Sequence, residues 1–322
     1  MAAPTCSDEE FIAIWQELQS PTKVAEHLKI SQRSVMYRRR SIENRLQTQL
    51  PTTNDLRCKD APKIETRIFH PHDKVRSIAD ISGVVVIFSD AHYMPGEPSI
   101  GHKALLKLIK QLKPKLVIAN GDILDGGSIH KHDPIGWETR PTLKQELDAV
   151  IERMDEVRKA AKGAILHRTI GNHCIRFDKR LAAMVPEYRD IGGTRLQDHL
   201  PEWSTSWSVL INGNTMVKHR LHSGIHSTYN NVLRSGLTAM VCGHTHQLEI
   251  KPIGDYTGRK WGVATGMLAD PSDGPFRYME DGPNFWCQGF AILTYDNSGE
   301  LIQPELVEII NGRAHFRGEI IN

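Results

Sequence analysis

The sequence predicts an α/β domain built on a buried sheet and preceded by a small all-α module, and three observations predict it. From Val84 onward, short apolar runs alternate with longer amphipathic stretches, the pattern of buried strands and covering helices. Residues 8 to 46 carry apolar positions at helical spacing. Between the two lies a polar stretch containing Pro51, Pro62 and Pro71, the composition of a linker. A chain of 322 residues has room for one large domain and one small one. With 39% hydrophobic and 24% charged residues it falls among globular rather than disordered or fibrous chains.

In the first fifty residues, Phe11, Ile14, Trp15 and Leu18 form an apolar stripe on a first helix, and Pro21 suits the start of a second running to Leu28. Ser31 is a fitting N-cap for a third, QRSVMYRRRSIENRL. There Arg33, Arg38, Arg39, Arg40 and Arg45 stand against a single acid, Glu43. The layout resembles a helix-turn-helix, with Arg33, Arg38, Arg39 and Arg40 as candidate DNA contacts. The alternative is a helical cap whose arginines are solvated or pair with acids. The expected organisation is a helix-turn-helix-like module at 1–50, a linker or arm at 51–82 and a catalytic domain at 83–322.

In that domain the strand-like runs are VVVIFSD at 84–90, KLVIANGD at 115–122, AILHRTIGNH at 164–173, NTMVKH at 214–219 and TAMVCGH at 238–244. Helices are expected around 102–112 and 143–161. Val263, GFAILTY at 289–295 and LVEII at 306–310 suggest further strands and hairpins.

Every one of the five runs ends in residues able to bind a metal. Asp90 and His92 close the first, Asp122 the second, Asn172 and His173 the third, His219 the fourth, and His244 and His246 the fifth. Ligand sites of open α/β sheets lie beyond the carboxyl ends of strands, so these endings can converge. A single histidine is more often a surface or hydrogen-bonded core residue than a ligand; five such endings in order outweigh that reading.

The succession D-x-H, GD-x-x-D, GNH, a strand-terminal His and GH-x-H resembles the signature of the calcineurin-like metallophosphoesterases, over roughly residues 84–270. The resemblance implies a sandwich of two mixed β-sheets flanked by helices. It also implies two divalent metal ions, Mn²⁺ first, with Fe or Zn²⁺ as alternatives. Asp90, His92 and His246 would hold one metal and Asn172, His219 and His244 the other, with Asp122 between them. His173 would be the catalytic histidine, and a metal-bridging hydroxide would attack phosphorus. Oxygen and nitrogen donors of this kind suit such metals better than Ca²⁺, and a closely spaced pair can activate water and neutralise phosphate oxygens.

Asp125 is placed to orient His173, or to cap a helix. Cys174 stands where the family commonly has an acid, which leaves open how His173 is held. His222 rivals His219 as ligand or could contact phosphate; Arg176, Arg180, Lys131 and His132 could meet substrate oxygens. Phe276, Tyr278, Phe285 and Trp286 could wall the cleft and stack on a base, or pack as an ordinary loop.

The expected function is phosphodiester hydrolysis of nucleic acid, DNA included, or of nucleotides. The alternatives are a phosphomonoesterase and a DNA-binding scaffold with an inactive domain. Five widely spaced cysteines and no CxxC pair argue against a disulfide framework or zinc ribbon. The first residues lack a secretory pattern and no run reaches membrane-spanning length, so a cytoplasmic protein without a membrane partner is expected. The net charge of +2 points to no partner by itself.

Overall fold

The computed structural model describes residues 6–51, 73–130, 139–272, 274–281 and 285–321. The chain divides into two compact units, 1–69 and 70–322.

In the first unit, Ser7 caps α1 (Asp8–Leu18) in a reciprocal pair with Glu10, satisfying two otherwise orphaned amides. Pro21 opens α2 (Pro21–Leu28) and Ser31 caps α3 (Gln32–Leu46) through the Ser34 amide. Phe11, Trp15, Val24, Val35, Ile42 and Leu50 form the core, and the Trp15 indole donates to the Pro51 carbonyl at 2.7 Å.

Two of the four arginines expected to face DNA turn inward instead. Arg38 donates to the Cys6 carbonyl and to Asp8, and lies 5.2 Å from the Phe11 ring. Arg39 donates to Glu43 at 2.8 Å and lies 4.7 Å from the Trp15 ring. The reason is helical phase: positions 35, 38, 39 and 42 share one face of α3, and Val35 and Ile42 fix that face on the core. Arg33 and Arg40 are exposed.

The second unit is organised by one hydrogen-bonded network of strands. Their order is β13 (Glu319–Ile321), β12 (Arg313–Phe316), β11 (Glu305–Ile310), β10 (Gly289–Tyr295), β2 (Gly83–Phe88), β3 (Leu116–Asn120), β4 (Ile165–Thr169), β5 (Ser204–Ile211), β6 (Thr215–Lys218), β7 (Ala239–Cys242), β9 (Gly258–Thr265) and β8 (Leu248–Asp255). Strands β2, β3, β4 and β5 run parallel, as do β6, β7 and β9, while the other pairings along this order are antiparallel.

This is the expected class, a mixed sheet with flanking helices. The two expected sheets are joined, because β5 pairs with β4 through Ser204–Ser206 and with β6 through Ser208–Ile211. The halves face each other across a core that takes Val85, Ile87, Leu116 and Ile118 from one side and Val209, Val217, Val241 and Val263 from the other.

Alternate residues of the same strands, Val86, Phe88, Val117 and Ala119, point the other way. There they meet Leu105, Leu108 and Ile109 of α4 (Ile100–Leu112) and Val150, Met154 and Val157 of α5 (Leu143–Ala160). Burial on both faces is why these strands read as unbroken apolar runs. α6 (Ile175–Met184) follows the GNHC segment, and α7 (Ser227–Ser235) sets Val232 against Met240 and Cys242.

Part of the stretch expected as a linker belongs to the sheet: β1 (Asp73–Ile78) pairs in parallel with β5. Residues 52–72 lie outside the described residues, as do Cys58, Pro62 and Pro71. Cys6, Cys174, Cys242 and Cys287 are free thiols. Among the described residues, no helix is long and apolar enough to cross a membrane.

Candidate metal centre

Beyond the carboxyl ends of these strands the backbone reverses through left-handed residues. Asp90, His92, Asp122, His244 and His246 have φ of +51°, +38°, +48°, +70° and +58°. Such values are uncommon outside glycine, with Asp, Asn and His the side chains that tolerate them best, and each costs on the order of 1–3 kcal/mol unless its surroundings enforce it. Here they are enforced. The Asp90 amide donates to the Gly121 carbonyl at 3.1 Å and the His92 amide to the Asp122 carbonyl at 3.0 Å. The His244 amide donates to Asp90 Oδ2 at 2.9 Å.

The glycine ahead of the third motif has a steric reason. A Cβ on Gly171 would overlap the Asp122 carboxylate, and one on Gly121 would overlap the His219 ring.

Three clusters of possible ligands result among the described residues; His92, Asp125 and His173 are joined by hydrogen bonds to Asp125, and the other two form the donor groups. In the first, Asp90, His92 and His246 bring ligand atoms within 4.8 Å of one another. With Asp90 Oδ2 engaged by the His244 amide, Oδ1 faces the group, 3.2 Å from His246 Nε2 but without hydrogen-bond geometry. Asp125 accepts from His92 Nδ1 at 3.0 Å, so the other ring nitrogen, Nε2, turns its lone pair into the group; the tautomer follows from that bond. Burial lowers the His92 pKa and keeps the ring neutral.

The second group joins Asp122, His219 and His244 within the same 4.8 Å. His219 Nδ1 donates to the Asn120 carbonyl at 2.8 Å. Its Nε2 lies 2.9 Å from Asp122 Oδ2 and 3.3 Å from the Asn172 carboxamide oxygen. Asp122 Oδ1 meanwhile accepts from the amides of His173, at 2.8 Å, and Cys174, at 3.3 Å. Burial opposes charge on His219, but Asp122 and Asp90 outweigh it and raise the pKa to about 9. Burial and the neighbouring His219 hold His244 down at about 4. Burial likewise works against the Asp90 carboxylate, yet His219 and His246 bring it to about 2.

Among the described residues, Asp125 caps no helix. Its Oδ1 also accepts from His173 Nδ1 at 2.9 Å, so a single carboxylate oxygen orients one ring in the donor group and a second at its edge. Arg176 completes the hold on His173, donating to its Nε2 at 3.1 Å and to the Asp125 carbonyl at 2.9 Å. The Cys174 position therefore needs no acid to fix the ring, and the buried thiol has its pKa raised by burial.

His222 is not brought among the donors; its Nε2 accepts from Arg234 at 2.7 Å on an exposed loop. Arg180 is exposed on α6, four residues beyond Arg176. Lys131 and His132 lie outside the described residues. Sequence reasoning missed Glu146, which is wholly buried and accepts from the Gly126 amide at 2.7 Å. Burial raises its pKa to about 7. It thereby secures the loop that follows Asp125.

The donor sets fit a divalent cation. Asp90 Oδ1, His92 Nε2 and His246 Nδ1 are buried atoms without hydrogen-bond partners, each costing about 1–3 kcal/mol if left so, and oxygen–imidazole sets suit borderline metals. The family profile described as calcineurin-like phosphoesterase matches residues 83–248.

The chain belongs to the calcineurin-like phosphoesterases.

That family uses divalent metals, in keeping with the donor groups of this calcineurin-like phosphoesterase. No curated protein matches the chain significantly. Among solved structures it is similar to zinc-bound wild-type Vps29 from Entamoeba histolytica, with 14% identity, TM-score 0.41, and 74% of this chain and 99% of that one covered. Vps29 from Cryptosporidium parvum gives 11% identity, TM-score 0.39, and coverage of 75% and 98%. The phosphoesterase Yfce from E. coli gives 14% identity, TM-score 0.33, and coverage of 69% and 97%.

The two perturbed histidines set opposite pH trends in the metal-free protein. His219, raised from 6.5 to about 9, gives stability that is full below pH 6.5 and is lost as pH rises through about 9. His244, lowered to about 4, makes stability fall as pH drops from 6.5 towards 4. Urea midpoints of chelator-treated protein are expected to decline between pH 7 and pH 9.5, and less steeply in His219→Gln. Equal slopes in the two proteins would contradict the assignment.

Proposed function

We propose that this phosphoesterase is a metal-dependent hydrolase of phosphodiesters in nucleic acid or nucleotides. The observation that carries the reading is the pair of adjoining donor groups with an oriented imidazole, His173, at their edge. In this reading Asp90, His92 and His246 would hold one divalent ion and Asn172, His219 and His244 the other, with Asp122 able to serve both. Mn²⁺ is the first choice, with Fe and Zn²⁺ as alternatives. Two such ions supply an activated water and neutralise phosphate oxygens.

The chain's own residues do the rest. Asp125 fixes Nδ1–H of His173 and leaves Nε2, which accepts from Arg176 in the resting site, as the atom that, once Arg176 turns away and Nε2 has taken up a proton from solvent, would pass that proton to the departing oxygen. The Arg176 guanidinium, already 3.1 Å from that nitrogen, can turn its fork to a phosphate oxygen. Asp90 and Asp122 each hold backbone amides with one carboxylate oxygen, which keeps the donors in place without substrate.

The preference for nucleic acid rests on the N-terminal unit, read as a helix-turn-helix. Arg33 and Arg40, exposed on the face of α3 away from its core, would contact phosphates independently of sequence.

With Mn²⁺, hydrolysis of bis-p-nitrophenyl phosphate is expected to exceed that of p-nitrophenyl phosphate and to fall at least about 100-fold in Asp122→Asn. Activity on the monoester alone would favour a phosphomonoesterase. No activity from protein with bound metal would favour a DNA-binding scaffold. On duplex DNA, the double variant Arg33→Ala/Arg40→Ala should flatten the dependence of log binding constant on log salt by about two units; an unchanged slope would refute those contacts.

A further inference from the structure

The segment between β9 and β10 is tied to the donor loops at both ends. The Ala269 amide donates to the Asp90 carbonyl at 3.2 Å, and the Cys287 amide to the His246 carbonyl at 2.9 Å. Between those ties the described part of the segment carries Phe276, Tyr278 and Trp286.

Phe276 is 5% exposed, with its ring centre 5.2 Å from that of His92 and 5.8 Å from that of His246. The Trp286 ring stands 4.5 Å from His246 and 5.4 Å from Phe276, at steep angles to both. These two rings pack the imidazoles of the first donor group from outside.

Tyr278 continues the wall 6.1 Å beyond Trp286, but it is 55% exposed. Shielding the donors does not account for that exposure, since Phe276 already lies against both imidazoles. Burial raises the pKa of the Tyr278 phenol, and the charges acting on it next are those of Asp125, Arg176 and Asp90. Its ring thus stands at the outer end of a row of rings that runs through Trp286 to His246, with much of its surface open to solvent.

We propose that Tyr278, backed by Trp286, is a stacking platform for the nucleobase of a substrate whose phosphate lies at the two donor groups. This rests on the phosphodiesterase reading and names the part of the substrate that the donors cannot recognise. A base linked through its sugar to the phosphate offers a planar π-face at the rim, and stacking on an aromatic side chain tolerates any base. The guanidinium of Arg176, 3.1 Å from His173 Nε2, would provide the charge that holds the phosphate at the donor groups. Discrimination then comes from the wall and chemistry from the centre.

The test uses the full chain loaded with Mn²⁺ and two readouts. Binding of thymidine 5′-monophosphate and of methyl phosphate is measured by calorimetry on wild type, Tyr278→Ser and Tyr278→Phe. Hydrolysis of the p-nitrophenyl esters of the same two phosphates, which share a leaving group, is followed in parallel. Wild type should favour the thymidine ligand by about fivefold or more, a preference lost in Tyr278→Ser and kept in Tyr278→Phe. No thymidine preference in wild type, or one unchanged in Tyr278→Ser, overturns the platform. A preference seen in binding while neither ester is hydrolysed would uphold the platform and overturn the enzymatic reading instead.

Discussion

A carboxylate that anchors backbone amides with one oxygen and faces a donor group with the other occurs at Asp90 and again at Asp122. The site depends on that division of labour. Asp90 ties its own turn to the GHTH turn; Asp122 ties its own to the GNH segment. Each tie crosses between strand ends far apart in sequence, so the left-handed turns hold one another in place. Gly171 leaves room for Asp122 to make its tie, and Gly121 lets His219 lie alongside. The strain of five non-glycine residues at positive φ is distributed over a closed set of hydrogen bonds.

Gathering polar groups where water has little access carries an electrostatic penalty as well. The protein meets part of it internally. The carboxylates of Asp122 and Asp90 raise the His219 pKa against burial, while burial lowers that of His92 against the opposing pull of Asp125. The remainder is visible as unpartnered atoms on Asp90, His92 and His246. Groups that titrate in opposite directions within one small volume are the mark of a site kept for chemistry or binding rather than for stability. Asp125 lies at the hinge of this arrangement, since one of its oxygens orients an imidazole of the donor group and the imidazole proposed to move a proton.

The central strands and the donor residues were legible because both are strong local signals. Val85–Phe88 and Leu116–Ala119 are buried on both faces and so read as apolar runs, and the donors follow at the ends of those runs. β5 was not legible: Ser204, Ser206 and Ser208 break its apolar pattern, and the first two find partners in His167 of the neighbouring strand and in the Leu166 and Ser208 carbonyls. β1 was hidden in a polar stretch for a similar reason, since four of its first five residues are charged or polar and its only buried side chain is Ile78. The second role of Asp125, and Glu146 beneath its loop, depend on contacts across 33 and 20 residues that no local pattern encodes. The inward turn of Arg38 and Arg39 was available from helical phase, because they share a face with Val35 and Ile42.

The measurement that bears most directly on this account is anomalous diffraction from crystals grown with Mn²⁺. Two peaks about 3.5–4 Å apart, one against Asp90, His92 and His246 and the other against Asn172, His219 and His244, with Asp122 touching both, are the expected result. A single peak, or none at these side chains under saturating Mn²⁺, would contradict the claim that the strand ends were brought together to hold two cations.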